Sequence, residues 1–147
     1  MARVLADSEA LTRRLAERAP RARPVADGDL EPCQRINAAT RAAPSWPAGG
    51  AVAGAAYGEV FAALAPDRAD GARRMGREIG LSRAVCRMNW PSDVDDGALA
   101  GQALYATLGH DPAFVTDLEA ARSEVAAARA EGLSSPACAA ERRALAG

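Results

Sequence analysis

Leu81–Gly97 reads LSRAVCRMNWPSDVDDG, and it decides the fold class because it closes one helix and opens another with no strand between them. Upstream of it, Ala69 to about Val85 carries Met75, Ile79 and Arg83 at helical spacing. After a turn at Asn89–Pro91, Ser92 is placed to cap a further helix. Asp93, Asp95 and Asp96 fall in its first turn, where the helix dipole favours acids. That helix runs through Leu99, Leu104 and Leu108 and ends at Gly109.

The pattern continues outward in both directions. Asp111 followed by Pro112 is an N-cap and first-position pair, and it opens a helix to about Ala130. Gly132 stops that helix, and a short final helix or tail follows Pro136 over 131–147. Upstream, Ala51–Ala65 reads AVAGAAYGEVFAALA, a helix with small residues on nearly every face, as burial between other helices requires. Asp7–Ala19 reads as the first helix, with Leu11 and Leu15 on one side and Arg13, Arg14, Glu17 and Arg18 on the other. Pro20 and Pro24 end it. Residues 20–50 then form a long proline-bearing segment without clear periodicity, of the kind that often borders a functional site. No β-strand pattern and no repeat is present. The expectation is an all-α fold.

The bulk numbers narrow the function classes. At 147 residues the chain is sized for a single domain over 1–147. Apolar residues make up 49% and aromatics only 4%, so the core is built from small side chains. The net charge is −1, which argues against a nucleic-acid or anionic-membrane binder. Every cation is arginine, which reflects either coding bias or anion recognition by guanidinium forks. Cys33, Cys86 and Cys138 show no metal-ligand spacing, so no metal and no cofactor is expected. One disulfide is open to an exported protein; otherwise Cys86, on a helix among apolar residues, reads as a packed thiol. No signal peptide is visible at the N-terminus, which reads as cytoplasmic as it stands, and no run has the length of a membrane span.

Three stretches together resemble one family. Ser82–Phe114, SRAVCRMNWPSDVDDGALAGQALYATLGHDPAF, resembles the third motif of the class A bacterial acid phosphatases, in the PAP2 superfamily that also holds the vanadium haloperoxidases. That motif is Ser-Arg, five residues, His, three residues, Asp. Ser82, Arg83 and Asp93 match it, and Asn89 stands at the histidine. Arg21–Cys33, RARPVADGDLEPC, is similar to the first motif, a lysine, six residues, then Arg-Pro. Arg23 and Pro24 match, and Ala16 stands at the lysine. Trp46–Pro66 is similar to the second motif, Pro-Ser-Gly-His. Pro47 and Gly49 match, Ala48 stands at the serine and Gly50 at the histidine. Asp111–Val125 resembles the family's C-terminal helix. The resemblance covers about residues 8–130. It implies a PAP2 or acid phosphatase-like helical bundle, shortened at its N-terminus, in a family whose members are typically exported.

The resemblance also implies which chemistry is missing. In family members the third-motif histidine attacks phosphorus and the aspartate orients it. The second-motif histidine protonates the leaving alcohol. The lysine, the arginines and the serine hold the phosphoryl oxygens. This sequence keeps Arg23, Arg83 and Asp93, with Gly49 and Ser82 in support. The degenerate positions are Ala16, Ala48, Gly50 and Asn89. Asparagine is not a nucleophile and glycine has no side chain. The one histidine, His110, reads as a surface turn residue. Loss of one member of a catalytic unit commonly costs about 10³-fold or more, so no catalytic residue is expected.

Several alternatives stand at this point. Arg23 and Arg83 either pair internally, with Asp93 or Asp95, or hold a phosphate or another oxyanion. Asp93 is either a helix-cap acid satisfied by Asn89 or a backbone amide, or a retained binding group. Trp46 and Trp90 are either core anchors or walls of a remodelled pocket, which Gly50 and Ala48 are expected to widen. The leading reading is a degenerate acid phosphatase-like protein, a pseudoenzyme acting as a binding or interaction domain. The others are an enzyme with altered chemistry or residual phosphomonoester hydrolase activity, and a truncated gene product. An apolar surface left open by the shortened N-terminus is expected, covered by a homodimer or a partner protein.

Overall fold

A computed structural model describes residues 1–27, 30–133, 135, 138, 141 and 143. The described residues form helices α1 (Ala2–Arg18), α2 (Ala38–Ala42), α3 (Gly49–Leu64), α4 (Ala69–Val85), α5 (Pro91–Leu108) and α6 (Pro112–Ala130). Short 3-10 turns lie at Pro24–Asp27 and Pro66–Arg68, and no strand occurs among the described residues. The fold is all-α, as expected. Most of the final helix or tail over 131–147 lies outside the described residues.

α3 is the centre of the bundle, with α4 and α5 packed closely on it and α1 and α6 covering the rest. Its small residues make this possible. A Cβ placed on Gly54 would lie 2.5 Å from the Gly76 carbonyl oxygen of α4. On Gly101 of α5 it would lie 2.2 Å from the carbonyl oxygen of Val52. Real Cβ atoms do not approach so near, so the helix backbones touch directly. With little area buried per side chain, close backbone contact supplies the dispersion that large residues provide elsewhere.

Two apolar clusters result. Val4, Ala56 and Val60 form one, joined by Tyr57, Leu64, Leu104, Tyr105, Leu108, Phe114 and Leu118 at the α1–α6 end. Ala48, Ala51 and Val94 form the other, with Ala84 against it, where α3 and α5 begin. α6 is clipped on by charge: Arg3 pairs with Asp117 at 3.1 Å, and Arg129 grips both oxygens of Asp67 at 2.8 and 2.6 Å. The Arg129 hydrogen bonds hold the Asp67 carboxyl down to about 2.

Four local expectations are corrected. α1 begins at Ala2 rather than Asp7, because Val4 and Ser8 are buried on the same face that Leu11 and Leu15 extend. Residues 20–50 are not wholly irregular; they hold a 3-10 turn and α2, which Asn37 caps by accepting from the Thr40 amide at 2.8 Å. Ser92 does not cap α5. Trp90 is the cap residue, and its amide donates to Asp93 Oδ2 at 3.1 Å. Cys86 is not a packed thiol but forms a disulfide with Cys33, closing a separation of 53 residues. A loop of that length corresponds to about 4 kcal/mol in the chain-entropy treatment. Cys138 is free and exposed. The outer face of α4 carries apolar side chains into solvent, with Leu81 54% and Val85 77% exposed, and Leu99 of α5 stands 63% exposed.

The backbone contacts make a paired test. Gly101→Ala drives a methyl into the Val52 carbonyl and is expected to lower stability by about 1–3 kcal/mol, the range for overpacking. Gly71→Ala meets nothing nearer than a side-chain nitrogen at 4.0 Å and is expected to raise it by about 0.5–1 kcal/mol through helix propensity. Thermal unfolding of both variants checks the pair; equal shifts in one direction would contradict the α3–α5 contact.

Candidate functional site

Three loop segments meet where α3 and α5 start, and backbone hydrogen bonds knit them. The Ser45 amide donates to the Arg21 carbonyl at 2.7 Å, and the Ala48 amide to the Asp93 carbonyl at 2.9 Å. The amides of Met88 and Asn89 both donate to the Arg83 carbonyl, at 2.9 and 3.2 Å, and so fold the α4–α5 turn back on itself. Arg87 in that turn has φ 58°, in the left-handed region disfavoured for a residue with a Cβ. The Cys33–Cys86 disulfide and a 3.3 Å hydrogen bond from Arg87 to the Glu31 carbonyl hold it there.

Asp93 is wholly buried, and its carboxylate is fully engaged. It accepts from Arg21 Nη1 at 2.7 Å, from Ser45 Oγ at 2.5 Å and from the Trp90 amide at 3.1 Å. Arg21 also donates to Ser92 Oγ at 2.8 Å, and its guanidinium lies 5.3 Å from the Trp90 ring centroid, a cation–π distance. The acid therefore has a structural partner that sequence reasoning missed. Neither Arg23 nor Arg83 pairs with it, and Asn89 does not satisfy it. No local feature of the sequence marks Arg21 rather than its neighbours as that partner.

Asn89 is 3% exposed and works as a cross-link. Its Nδ2 donates to the Ser45 carbonyl at 2.5 Å, and its Oδ1 accepts from Arg23 Nη1 at 3.4 Å. The two tryptophans are anchors, not pocket walls. Trp46 Nε1 donates to Asp96 Oδ2 at 2.7 Å and Trp90 Nε1 to the Ala22 carbonyl at 2.9 Å, and neither lines the cleft described next.

Ala16, Arg23, Gly49, Gly50, Ser82, Arg83 and Asn89 line a single open cleft of about 530 Å³. Ala48 and Asp93 do not line it; both are fully buried behind it. Ser82 turns its hydroxyl back to the Ile79 carbonyl at 2.7 Å. Gly50 does not widen the cleft as expected, because the Arg83 stem lies over it: a Cβ there would stand 3.1 Å from both Arg83 Cγ and Cδ. Arg23 Nη1 donates to the Met88 carbonyl at 2.7 Å, while its Nε is buried with no hydrogen-bond partner. Burial lowers the Arg23 pKa, and the charge of Arg83 lowers it further, against a smaller opposing pull from Asp93. The lining holds no carboxylate and no histidine. His110 is exposed on the α5–α6 turn. Among the described residues no three His, Cys, Asp or Glu side chains are grouped to hold a metal, and no helix is long and apolar enough to cross a membrane.

No family model matches the chain. Curated relatives do. It is 34% identical over 82 residues to a non-specific acid phosphatase of Providencia stuartii, covering 56% of this chain and 33% of that protein. It is 37% identical over 81 residues to a non-specific acid phosphatase of Salmonella typhimurium, covering 55% and 32%. An acid phosphatase of Zymomonas mobilis is 36% identical over 85 residues, covering 58% and 32%. The chain is thus related to the acid phosphatases, as its motifs imply, and it spans about a third of the length of these relatives.

The Asp93 arrangement ranks two arginines by stability. Arg21→Ala leaves a buried carboxylate short of its charged donor. Because Arg21 itself is half exposed, the expected cost is about 2 kcal/mol, between the values for exposed and buried pairs. Arg83→Ala, which breaks no ion pair, is expected to change stability by no more than about 0.5 kcal/mol. Urea unfolding midpoints decide the order, and a costlier Arg83→Ala would contradict the assignment.

Proposed function

We propose that this chain is a catalytically degenerate acid phosphatase-like domain that binds a phosphate-type oxyanion over Arg23 and Arg83 and does not turn it over. One observation carries the reading. Two guanidinium groups face one cleft without a carboxylate between them, and one has a buried N–H with no acceptor. Like charges so placed repel, Arg83 adding to the burial that lowers the Arg23 pKa, and an anion between them converts repulsion into attraction. The amides of Gly49 and Gly50 open α3 at the same cleft, where a helix has no acceptors of its own for them.

The same geometry argues against hydrolysis. The residue at the family's nucleophile position, Asn89, has its amide tied at both ends. The residue at the leaving-group acid position, Gly50, has no side chain, and Arg83 lies across the space. The Cys33–Cys86 disulfide favours an oxidising compartment as the working environment.

Two experiments test the reading. Purified protein is expected to hydrolyse p-nitrophenyl phosphate no faster than buffer at acidic and neutral pH; turnover that Arg83→Ala abolishes would refute the degenerate reading and establish altered chemistry. Millimolar phosphate or vanadate is expected to raise Tm above a chloride control of matched ionic strength. Binding to the folded state alone contributes about 1.4 kcal/mol at tenfold excess over Kd. The double variant Arg23→Ala, Arg83→Ala is expected to lose the shift, and a wild type without one would rule out oxyanion binding.

A further inference from the structure

The cleft holds a third guanidinium group that the motif positions leave unassigned. Arg13 lies on α1 one turn before Ala16 and lines the cleft beside it and Thr12. Spacing of three places both residues on one helix face. Arg13 forms no hydrogen bond or ion pair with any described residue. The Thr12 hydroxyl is turned back to the Ser8 carbonyl at 2.7 Å and does not occupy it. Its neighbour Arg14 faces a different depression, with Arg3 and Leu104.

Placement separates the three cations. Arg23 and Arg83 are half-buried, held by the Met88 carbonyl and by packing over Gly50. Arg13 is exposed, on the α1 wall. The lining has no carboxylate to offset any of them, and the nearest buried acid, Asp93, is committed to Arg21. The volume of about 530 Å³ falls among sites for small organic ligands, about 300–1,000 Å³, rather than for one tetrahedral ion.

We propose that Arg13 is a second anion-binding residue of this cleft, and that the ligand carries two anionic groups: a phosphoryl group on Arg23 and Arg83, and a further phosphoryl or carboxyl group on Arg13. This rests on the oxyanion reading above and names its ligand class, the diphosphates and phosphorylated acids. The lysine-equivalent position, Ala16, contributes no charge, and Arg13 returns one to the cleft a turn farther out, where it meets the remote end of a longer ligand.

Isothermal titration of the full chain at constant ionic strength tests this with orthophosphate, pyrophosphate and phosphoglycolate. The wild type is expected to bind at least one of the two longer anions about tenfold tighter than orthophosphate, the size of one charge-assisted contact. Which of them it prefers identifies the second group. Arg13→Ala is expected to abolish that preference while orthophosphate affinity stays within about twofold. Arg14→Ala, on the same helix, retains it and controls for general charge. Arg13→Gln, which keeps most of the stem, replaces the alanine variant if circular dichroism shows that one unfolded. Binding of orthophosphate with no preference, or with a preference that survives loss of Arg13, overturns the inference and leaves the single-oxyanion reading standing. Failure of all three anions to bind the wild type overturns both.

Discussion

The buried Asp93 carboxylate ties the site region together. An anion with no solvent exposure is costly unless several donors meet it. Here they come from three separate parts of the chain: Arg21 from the loop after α1, Ser45 from the loop before α3, and the Trp90 amide that begins α5. The Asp93 carbonyl adds the Ala48 amide. Each donor belongs to a segment that carries one of the motif residues, so one carboxylate sets the relative positions of Arg23, Gly49 and Asn89. The cleft is a consequence of how this acid is satisfied.

The second constraint is steric. α3 meets α4 and α5 through backbone atoms at Gly54, Gly76 and Gly101. That closeness brings the start of α3 under the last turn of α4, which is why Arg83 drapes over Gly50 and points into the same cleft as Arg23. Larger residues along α3 would separate the helices and move the Arg83 stem away from Gly50. The small side chains from which the core is built are therefore what positions the two cations.

Helix content and order were legible in the sequence because periodicity and Pro or Gly punctuation are local. Ala69–Val85 and Pro112–Ala130 lie where those signals place them. Arg23, Gly49, Gly50, Arg83 and Asn89 share one cleft, as the resemblance led one to expect, while Ala48 and Asp93 lie buried behind it. What escaped depends on contacts across long sequence separations. Arg21 finds Asp93 at a separation of 72 residues, and nothing local distinguishes it from Arg18 or Arg35. Cys33 and Cys86 are paired by the fold, since two cysteines alone give no spacing signal. Arg13 looked like the polar side of an amphipathic helix until α1 was docked beside Gly49. The start of α1 was missed because the residue buried at position 8 is a serine, which satisfies itself on the Val4 carbonyl at 2.8 Å.

Asn89 and Gly50 are both engaged by the arginines of the cleft. The Asn89 amide joins Ser45 to Arg23, and it can do so because one planar group offers a donor and an acceptor side by side. A neutral imidazole there would need its N–H for Ser45 and its lone pair for Arg23, leaving no electron pair for phosphorus. At Gly50 a Cβ would stand 3.1 Å from Arg83 Cγ and Cδ, so a side chain there would require the Arg83 stem to shift. The cleft therefore sets half-buried guanidinium groups beside a tied amide, in a lining that holds no carboxylate and no histidine.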